Sequence, residues 1–512
     1  MNRSISVQLK LWINRFRTSP LSRVFRPLIL LATLFAVLYF VMTVSIDTSA
    51  RSSAVLTDGD GILPGDLDQA FLTPERNCPA EKASRPRSLL PSISNPYMTA
   101  MKIAFRGPQS SKSDTGAHRT NPSIIALPKG SEFPYVAFSS YVTGNKYSIY
   151  ACFVKRARMQ ISRRMALQCV DEPSKININT REDATCRDDL YLSLRSGAQV
   201  PRVFLSPNGE PLLTYSANSE TACVGYWVVD MRTVYSQLKK YFEGIPIRYQ
   251  KPVELLRPGK MSDLEQNWVL MFEGNETYVQ QDLNPRVFSE ALATTNLAPK
   301  SYDCLNKLTN DNRNLVLRQS TNTLRLSLCE FPCTATEANT VLISIIHIKY
   351  LEGYRPYYER RVLMTSSKFP FNVIGVSRPL LYAGTDEQMK IYTTSISWDS
   401  TQPSRSSRPD LRNLNLKDYM IKRPVEVTVE SEQPEEEHEH RKREENSEQQ
   451  QQEEVVRDYT LANPQLSGFT SDYYHGYLND VVLIGFGIED KESAVIDVLA
   501  SDLVSCIQLC TK

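Results

Sequence analysis

From about residue 96 to residue 400, short runs of β-branched and aromatic residues are separated by turn-forming residues. Tyr135–Phe138 and Tyr147–Val154 are two such runs, and Gly144-Asn145 lies between them. Runs of this length bounded by Gly, Asn or Pro are typical of β-strands joined by tight turns. The pattern therefore predicts an all-β domain made of hairpins.

Three longer units predict how the hairpins are organised. Pro201–Asp230 predicts a three-stranded meander with its first turn at Asn208-Gly209, and Asn267–Val279 and Val481–Val498 predict further hairpins. Meanders that recur at intervals of roughly 60–80 residues favour a five-bladed β-propeller, in which each blade buries its faces against its neighbours. A β-sandwich uses similar strands and is the alternative, although one sandwich domain rarely needs about 400 residues.

The N-terminal region has a different pattern. Residues 1–26 carry six basic residues and no acidic one, and Leu28–Ile46 is an uncharged apolar stretch of 19 residues. A helix of that length spans about 28 Å, close to the thickness of a bilayer core. The positive-inside rule then predicts a cytoplasmic tail at 1–26 and a transmembrane signal-anchor at 27–46. A signal peptide cleaved near Ala50 is the alternative, but signal h-regions are usually shorter.

Two further segments lack strand patterns. Residues 47–95 are rich in Ser, Pro, Asp and Gly, which predicts a lumenal stem before the domain at 96–512. Between about 400 and 460 the strand pattern stops, and residues 430–454 hold 11 Glu and 5 Gln. A segment with this much charge cannot bury enough apolar surface to fold. We therefore expect a disordered insertion inside the domain.

Charge and cysteine content agree with a lumenal domain. The chain has 59 basic and 57 acidic residues, and with the N-terminal tail set aside 53 basic and 57 acidic residues remain. That balance argues against a nucleic-acid partner. All ten cysteines follow the apolar stretch, where disulfides can form; Cys329/Cys333 and Cys506/Cys510 are close in sequence, but the connectivity stays open. The sequon at Asn275 is compatible with glycosylation in the lumen.

Standard catalytic motifs are absent from the sequence. It has no P-loop, no His-Glu-x-x-His and no Gly-x-Ser-x-Gly, and only five histidines. No metal site is predicted, and the metal requirement stays open. Carboxylates and arginines remain, which suits glycosyl chemistry, because carboxylates move protons and cations stabilise a leaving phosphate.

A set of segments in a fixed order along the chain carries a family resemblance. They are Gln266–Phe272, Tyr278-Val279, Asp282, Pro285–Phe288, Tyr357–Arg361, Ser395–Trp398, Tyr474–Val481, Gly485–Ile488 and Ala494–Val498. These segments resemble the fungal β-1,2-mannosyltransferase family (glycosyltransferase family 91), and the similarity covers roughly 95–400 and 460–510. Asn267-Trp268 and the strand that contains Pro201-Arg202 are also similar, more distantly, to the five-bladed propellers of family 130 mannoside phosphorylases.

The resemblance implies an inverting mannosyltransferase of the Golgi membrane, with type II topology. It would take GDP-mannose as donor and mannan or a mannosylated glycan as acceptor, in cell-wall or glycoprotein biosynthesis. Such an enzyme needs one base for the acceptor hydroxyl and cations near the diphosphate. The candidate bases are Asp282, Glu359, His475 and Asp480, and the candidate substrate-binding residues are Arg202, Asn267, Trp268, Arg286, Arg360 and Arg378.

Each candidate also has a purely structural interpretation, and one departure from the pattern leaves catalysis open. Arginines can pair with carboxylates inside blades, Asp480 can cap a turn, and His475 can be a half-buried structural residue. Mannoside-active propellers commonly carry a Glu-Asp pair where this chain has Gln199 and Val200. A catalytically silent, mannan-binding or scaffolding propeller is therefore one alternative, and a mannoside hydrolase or phosphorylase is another.

Overall fold

The structure is a computed structural model that describes the greater part of the predicted domain. The described residues are 88–93, 101–104, 119–128, 130–158, 165–180, 186, 192, 195–219, 221–297, 300–309, 315–352, 355–385, 389–399, 401 and 475–510. The predicted tail, the signal-anchor, nearly all of the stem and the acidic insertion lie outside these residues. Within the described ranges, no helix is both long and apolar enough to cross a bilayer.

The described chain is built mainly from β-strands, with three short α-helices and one 3-10 helix. The helices are α1 (Met231–Val234), α2 (Asp303–Asn306) and α3 (Ala500–Val504), and the 3-10 helix is Ser236–Tyr241. The strands are β1 (Ser88–Leu90), β2 (Met101–Ala104), β3 (Arg119–Ala126), β4 (Tyr135–Thr143), β5 (Lys146–Arg158), β6 (Met165–Cys169), β7 (Ser174–Lys175), β8 (Gln199–Leu205), β9 (Pro211–Asn218), β10 (Val224–Asp230), β11 (Val253–Leu255), β12 (Val269–Glu273), β13 (Glu276–Leu283), β14 (Arg286–Glu290), β15 (Leu315–Gln319), β16 (Leu324–Ser327), β17 (Thr340–Glu352), β18 (Arg355–Ser366), β19 (Val373–Ser377), β20 (Leu380–Tyr382), β21 (Ile391–Trp398), β22 (His475–Tyr477), β23 (Val481–Ile488), β24 (Glu492–Leu499) and β25 (Ile507–Leu509).

The strands form mostly antiparallel sheets, which confirms the all-β prediction; the parallel pairs are β1–β20, β2–β6 and β16–β22. Strands β8 to β11 make one four-stranded sheet, and β12 to β14 make a three-stranded one. A seven-stranded sheet runs β22-β16-β17-β18-β19-β25, with β15 also paired to β17. A nine-stranded sheet runs β21-β23-β24-β2-β6-β5-β4-β3, with β7 paired to β5. Strands β21 and β23 are neighbours although the acidic segment separates them in sequence.

The predicted hairpins form where turn residues permit them. Pro201–Asp230 folds as β8, β9 and β10, and Gly209 takes the left-handed backbone (φ 83°) that the first turn requires. Val481–Val498 folds as β23 and β24. The runs of β-branched and apolar residues and the turn residues between them together favour these hairpins locally.

Apolar side chains from neighbouring sheets share common cores. Ile343 and Val362 of the seven-stranded sheet pack in one cluster with Ile484 and Ile496 of the nine-stranded sheet. A second cluster joins the four-stranded and three-stranded sheets, and its largest member is Trp268, which is 1% exposed. Burying a side chain of this size contributes several kcal/mol, so the backbone next to Trp268 is firmly anchored.

Disulfides connect distant parts of the described chain. Cys152 bonds to Cys169, Cys186 to Cys223, Cys304 to Cys510 and Cys329 to Cys333, and Cys506 is bonded as well. The close pair Cys329/Cys333 is therefore a disulfide, whereas Cys506 and Cys510 are not bonded to each other. No cysteine in the described ranges is free.

Removing the Cys304–Cys510 bond is expected to be costly, because it closes a loop of 206 residues. The variant with Cys304→Ala and Cys510→Ala should lose about 4–5 kcal/mol of unfolding free energy, measured by denaturant titration. The matched variant with Cys329→Ala and Cys333→Ala, whose cysteines are only 4 residues apart, should lose less. Equal losses in the two variants would contradict the loop-length explanation.

Local irregularities in the strands occur next to the residues of the candidate site described below. The pairing register shifts just before Arg202 in β8, where Val200 has a positive φ of 53°, and again just before Asp282 in β13. Asn267, which precedes β12, has a φ of 62°. Bulges of this kind bend a strand and re-aim its side chains, and strained backbone of this kind concentrates at functional sites.

Candidate functional site

A polar cavity of about 450 Å³ lies where the three-stranded sheet approaches β15. Its walls come from the loop that follows β11, the end of β13 and the length of β15. Apolar residues form part of the lining, but charged and amide side chains dominate it. The charged and amide residues are Arg257, Glu265, Gln266, Asn267, Gln281, Asp282, Asn284, Arg318 and Gln319.

One guanidinium joins two carboxylates in this cavity. Arg257 donates from Nε to Glu265 Oε1 at 2.8 Å and from Nη2 to Glu265 Oε2 at 3.0 Å. It also donates from Nη1 to Asp282 Oδ2, and from Nη2 to Asp282 Oδ1 at 3.3 Å. Although burial opposes it, hydrogen bonds to Asp282 and Glu265 raise the pKa of Arg257, so its charge is secure.

The two carboxylates have different surroundings. Glu265 is 2% exposed, and besides Arg257 it accepts the Ser262 amide at 2.8 Å and the Trp268 indole Nε1–H at 3.2 Å. The side chain of Asp282 is 45% exposed and is hydrogen-bonded to Arg257. Glu265 is therefore occupied by internal partners, whereas Asp282 can reach a ligand and exchange a proton with it.

Asn267 contributes an amide to the same cavity. Its Oδ1 accepts from Arg202 Nη2 at 3.0 Å and from the Tyr392 hydroxyl at 3.1 Å. Arg202 is only 1% exposed, so it lies behind the cavity wall and holds a wall residue in place. Next to Asn267, Trp268 packs against Tyr226 with ring centroids 5.4 Å apart, and Arg257 lies over the Trp268 ring.

Arg318, on β15, has no counter-charge among the described residues. Its side chain makes no hydrogen bond or ion pair with any of them, and its Nε is buried without a partner. Lys349 lies on the neighbouring strand, opposite Val316. Burial, followed by the charges of Arg318 and Lys390, lowers the pKa of Lys349, so three cations lie near one another beside the cavity, and Lys390 is the one that is paired with a carboxylate, Asp490.

Removing the guanidinium that joins the carboxylates is expected to destabilise the fold. Arg257→Met keeps most of the aliphatic stem but leaves the buried Glu265 carboxylate without its cation. Losing one partner of a buried ion pair costs about 3–5 kcal/mol, which equilibrium unfolding would measure. In a double-mutant cycle, Glu265→Gln should make the Arg257→Met loss clearly smaller. A loss of the same size in both backgrounds would show that the pair is uncoupled.

Of the residues predicted from sequence, Asn267 and Asp282 line the cavity, and Trp268 and Arg202 lie directly behind Asn267. Three other predicted arginines do not line it. Arg286 donates to Pro370 O and, at 2.9 Å, to Gln280 Oε1, and burial lowers its pKa to about 10. Arg360 donates from Nε and Nη2 to the Leu380 carbonyl at 3.3 and 3.1 Å and lies over a tyrosine ring.

The third arginine, Arg378, is half-buried beside β19, where its backbone amide donates to the Cys506 carbonyl. Arg286 and Arg360 donate to carbonyl and amide oxygens and lie over aromatic rings, although the Nε of Arg286 is buried without a partner. Both residues are at most 2% exposed, so a structural role describes both better than phosphate binding does.

The other three candidate bases also lie away from the cavity. Glu359 is 6% exposed and accepts from Arg361 Nε at 2.6 Å and from the Tyr350 hydroxyl at 3.0 Å. Asp480 accepts the Tyr477 amide at 2.8 Å, which is a turn-capping bond. These carboxylates serve local structure.

The remaining base candidate is a half-buried histidine. His475 Nε2 lies 2.9 Å from Ser327 Oγ, and the ring stacks on Tyr477 with centroids 5.2 Å apart. Burial, and then the nearby Arg325, lower the pKa of His475 to about 4. The ring is therefore neutral at physiological pH.

Two further predicted positions lie elsewhere. Asn275 is exposed at the turn between β12 and β13, and its Oδ1 accepts from Asn208 at 2.7 Å. Gln199 is 4% exposed, and the Val200 amide donates to Ser140 Oγ at 3.1 Å. No acidic side chain stands at those two positions.

Sequence reasoning missed Arg257, Glu265 and Arg318. Glu265 stands two residues before Asn267, so the matched segment could have been extended to include it. Arg257 and Arg318 had no signal of their own, because their significance comes from tertiary proximity. Among the described residues, no three His, Cys, Asp or Glu side chains are grouped as metal ligands would be.

Comparisons with known proteins give weak likenesses. No family model and no curated protein matches the sequence. Among solved structures, a Bacteroides ovatus protein assigned as a glycoside hydrolase has a TM-score of 0.34 and 8% identity, over 80% of this chain and 96% of its own. An α-L-arabinofuranosidase from Podospora anserina, in complex with cellotriose, has a TM-score of 0.30 and 14% identity, over 58% and 82%.

A third likeness, to an endo-1,4-β-xylanase from Bacteroides thetaiotaomicron, has a TM-score of 0.22 and 10% identity, over 51% of this chain and 97% of its own. At these TM-scores the likenesses establish neither the fold nor the activity of this chain.

Proposed function

We propose that this protein is an inverting glycosyltransferase that transfers mannose from GDP-mannose to mannan or a mannosylated glycan. The cavity at Asp282 is the proposed site. One observation carries the proposal: an accessible carboxylate, Asp282, shares a cavity with Arg318, a guanidinium that has no partner among the residues that the structure describes. A base together with a free cation is what transfer from a nucleotide sugar requires.

Asp282 is the proposed general base. Its carboxylate takes the proton of an acceptor hydroxyl as that oxygen bonds to the anomeric carbon of mannose. The bond from that carbon to the diphosphate breaks with its electron pair, so GDP leaves and the α-linked donor gives a β-linked product. Arg257 holds Asp282 in position through hydrogen bonds, and Asp282 later releases its proton to water.

Arg318 is the proposed ligand of the diphosphate. Arginine binds phosphate oxygens bidentately, and such charge-assisted hydrogen bonds are stronger than neutral ones. Lys349 adds positive charge on the neighbouring strand. Arg286 and Arg360, which were predicted from sequence, instead donate hydrogen bonds inside the protein, to Gln280 Oε1 and to the Leu380 carbonyl.

The proposal extends to the architecture and the compartment. Strands β3–β6, β8–β11, β12–β14, β15–β19 and the group β21, β23 and β24 would be five blades, each contributing to a central polar funnel. The uncharged segment at 27–46 would anchor the chain in the Golgi membrane with type II topology. Disulfides in the described domain are compatible with a lumenal position.

A β-mannoside phosphorylase is the second candidate, because Arg318 could receive inorganic phosphate instead of a diphosphate. A hydrolase that uses two carboxylates is less well supported, since internal partners surround Glu265. A protein that only binds mannan is the remaining alternative. Gln199 and Val200 motivate it, because they stand where an acidic pair is common in related propellers.

Product analysis separates these functions. The purified full-length chain would be incubated with radiolabelled GDP-mannose and mannan oligosaccharides, and the products examined by chromatography and anomeric NMR. We expect label in the oligosaccharide, a new β-anomeric signal and free GDP. Mannose 1-phosphate formed from oligosaccharide and phosphate alone would favour the phosphorylase, and free mannose the hydrolase. Binding without any conversion would contradict all three catalytic functions.

A further inference from the structure

The orientation of the Asn267 amide is determined by its neighbours. Two donors, Arg202 Nη2 and the Tyr392 hydroxyl, converge on one atom of this side chain at 3.0 and 3.1 Å. Guanidinium groups can only donate, so the atom that receives Arg202 must be the amide oxygen. The other end of the amide is therefore the NH₂ group, and it donates to no described residue.

Arg202 is itself held rigidly. Its Nε donates to the Ser320 carbonyl at 2.9 Å and its Nη1 to the Pro201 carbonyl at 3.0 Å. The group that reaches Asn267 therefore cannot rotate away without breaking two buried hydrogen bonds. Because Arg202 is 1% exposed, no substrate can compete for it directly.

Tyr392 is held just as firmly. His347 packs edge-on against its ring with centroids 4.9 Å apart, and Tyr358 does so at 5.1 Å. The guanidinium of Arg202 lies 5.7 Å from the same ring centre. Both donors to Asn267 are thus fixed by packing before any ligand arrives, as a pre-organised binding group requires.

We infer that Arg202 and Tyr392 are positioning residues that make Asn267 an obligate hydrogen-bond donor to a sugar oxygen in the cavity. Asn267 is 7% exposed and lines the cavity. Its NH₂ group can therefore donate to a ligand that binds in the cavity. This inference deepens the proposed function and rests on it for the identity of the ligand.

The inferred donor also defines the class of sugar. Asn267 offers hydrogens, whereas the Asp282 carboxylate only accepts them, so the pair suits a sugar that presents an acceptor oxygen and a hydroxyl proton. Neighbouring hydroxyl groups of a neutral pyranose provide both.

The substitution Asn267→Asp tests the inference with almost no change of shape. The new carboxylate still accepts from Arg202 and Tyr392, so the thermal unfolding midpoint should not fall. Towards the cavity, however, a donor becomes an acceptor, and calorimetric affinity for mannan oligosaccharides should weaken tenfold or more. Unchanged affinity in a folded Asn267→Asp chain would overturn the inference, and so would the absence of any oligosaccharide binding by the wild-type chain.

A matched pair of tyrosine variants tests the positioning role. Tyr392→Phe removes one donor to Asn267 but keeps the ring, and should weaken oligosaccharide binding about threefold to tenfold. The control Tyr382→Phe removes another buried hydroxyl, which contacts Thr393 and does not line the cavity, and should leave the affinity unchanged. Equal effects of the two variants on affinity would contradict the positioning role.

The readouts keep this inference separate from the proposed function. Oligosaccharide binding that Asn267→Asp weakens, without any mannose transfer by the wild-type chain, would retain the inference and reject the transferase. Mannose transfer by the wild-type chain, together with oligosaccharide binding that Asn267→Asp does not change, would support the transferase and reject the inference.

Discussion

Replacing Asp282 with asparagine is expected to lower the rate of mannose transfer by about 10²–10⁴-fold, the usual contribution of a general base. Asparagine has nearly the same shape, but its amide cannot take the acceptor proton. Because Asp282 is 45% exposed, losing its ion pair with Arg257 should cost at most about 1 kcal/mol of stability. Initial rates with GDP-mannose and mannan oligosaccharide, together with thermal unfolding, would measure both effects.

Asp263→Asn provides the matched control. Asp263 is an exposed carboxylate on the loop that follows β11, and it does not line the cavity. Its variant should keep the full transfer rate. If Asp282→Asn also kept the full rate while folding normally, Asp282 would not be the base, and the cavity would lose its proposed chemical role.

The second large effect is expected at Arg318. Arg318→Gln should raise the KM for GDP-mannose by about 10–100-fold, since charge-assisted hydrogen bonds contribute roughly 1.5–3 kcal/mol. The fold should not be weakened, because Arg318 makes no ion pair with the described residues. Removing its charge should also raise the pKa of Lys349, which Arg318 now lowers together with burial.

A charge-matched control separates local binding from a general electrostatic effect. Lys260→Gln removes one positive charge from an exposed position outside the cavity, and should leave the KM for GDP-mannose unchanged at moderate salt. If both variants raised the KM equally, long-range attraction would explain the result and Arg318 would not contact the diphosphate.

The strands could be predicted from sequence because their signals are local. The runs at 201–230 and 481–498 carry both the β-branched and apolar residues and the turn residues of their hairpins, so no distant information is needed. Which strands pair with one another in a sheet could not be predicted as well. Strand β2, for example, pairs with both β24 and β6, which are separated by more than half of the chain, and no local pattern indicates such contacts.

The site could be predicted only in part, for a related physical reason. Asp282 and Asn267 belong to recognisable segments, and both line the cavity. Arg286 and Arg360 also belong to recognisable segments, yet both guanidinium groups are buried against carbonyl oxygens and aromatic rings. A buried arginine and a ligand-binding arginine differ in their tertiary partners, which a single sequence does not reveal.

The departure at Gln199 and Val200 also becomes clearer in the structure. Val200 keeps a positive φ of 53°, a costly backbone conformation for a β-branched residue. The bulge that bends β8 before Arg202 is therefore present although no acid stands there. Arg202 follows this bulge, and its guanidinium donates to Asn267 Oδ1 and orients the amide.

A crystal structure of the full-length chain with GDP-mannose and a mannan oligosaccharide would test the central claim most directly. We predict the diphosphate within hydrogen-bonding distance of the Arg318 guanidinium and the reacting acceptor hydroxyl against the Asp282 carboxylate. The Asn267 NH₂ group should contact a sugar oxygen. Well-defined ligands bound elsewhere, with Asp282 and Arg318 facing only solvent, would contradict the assignment of this cavity as the transfer site.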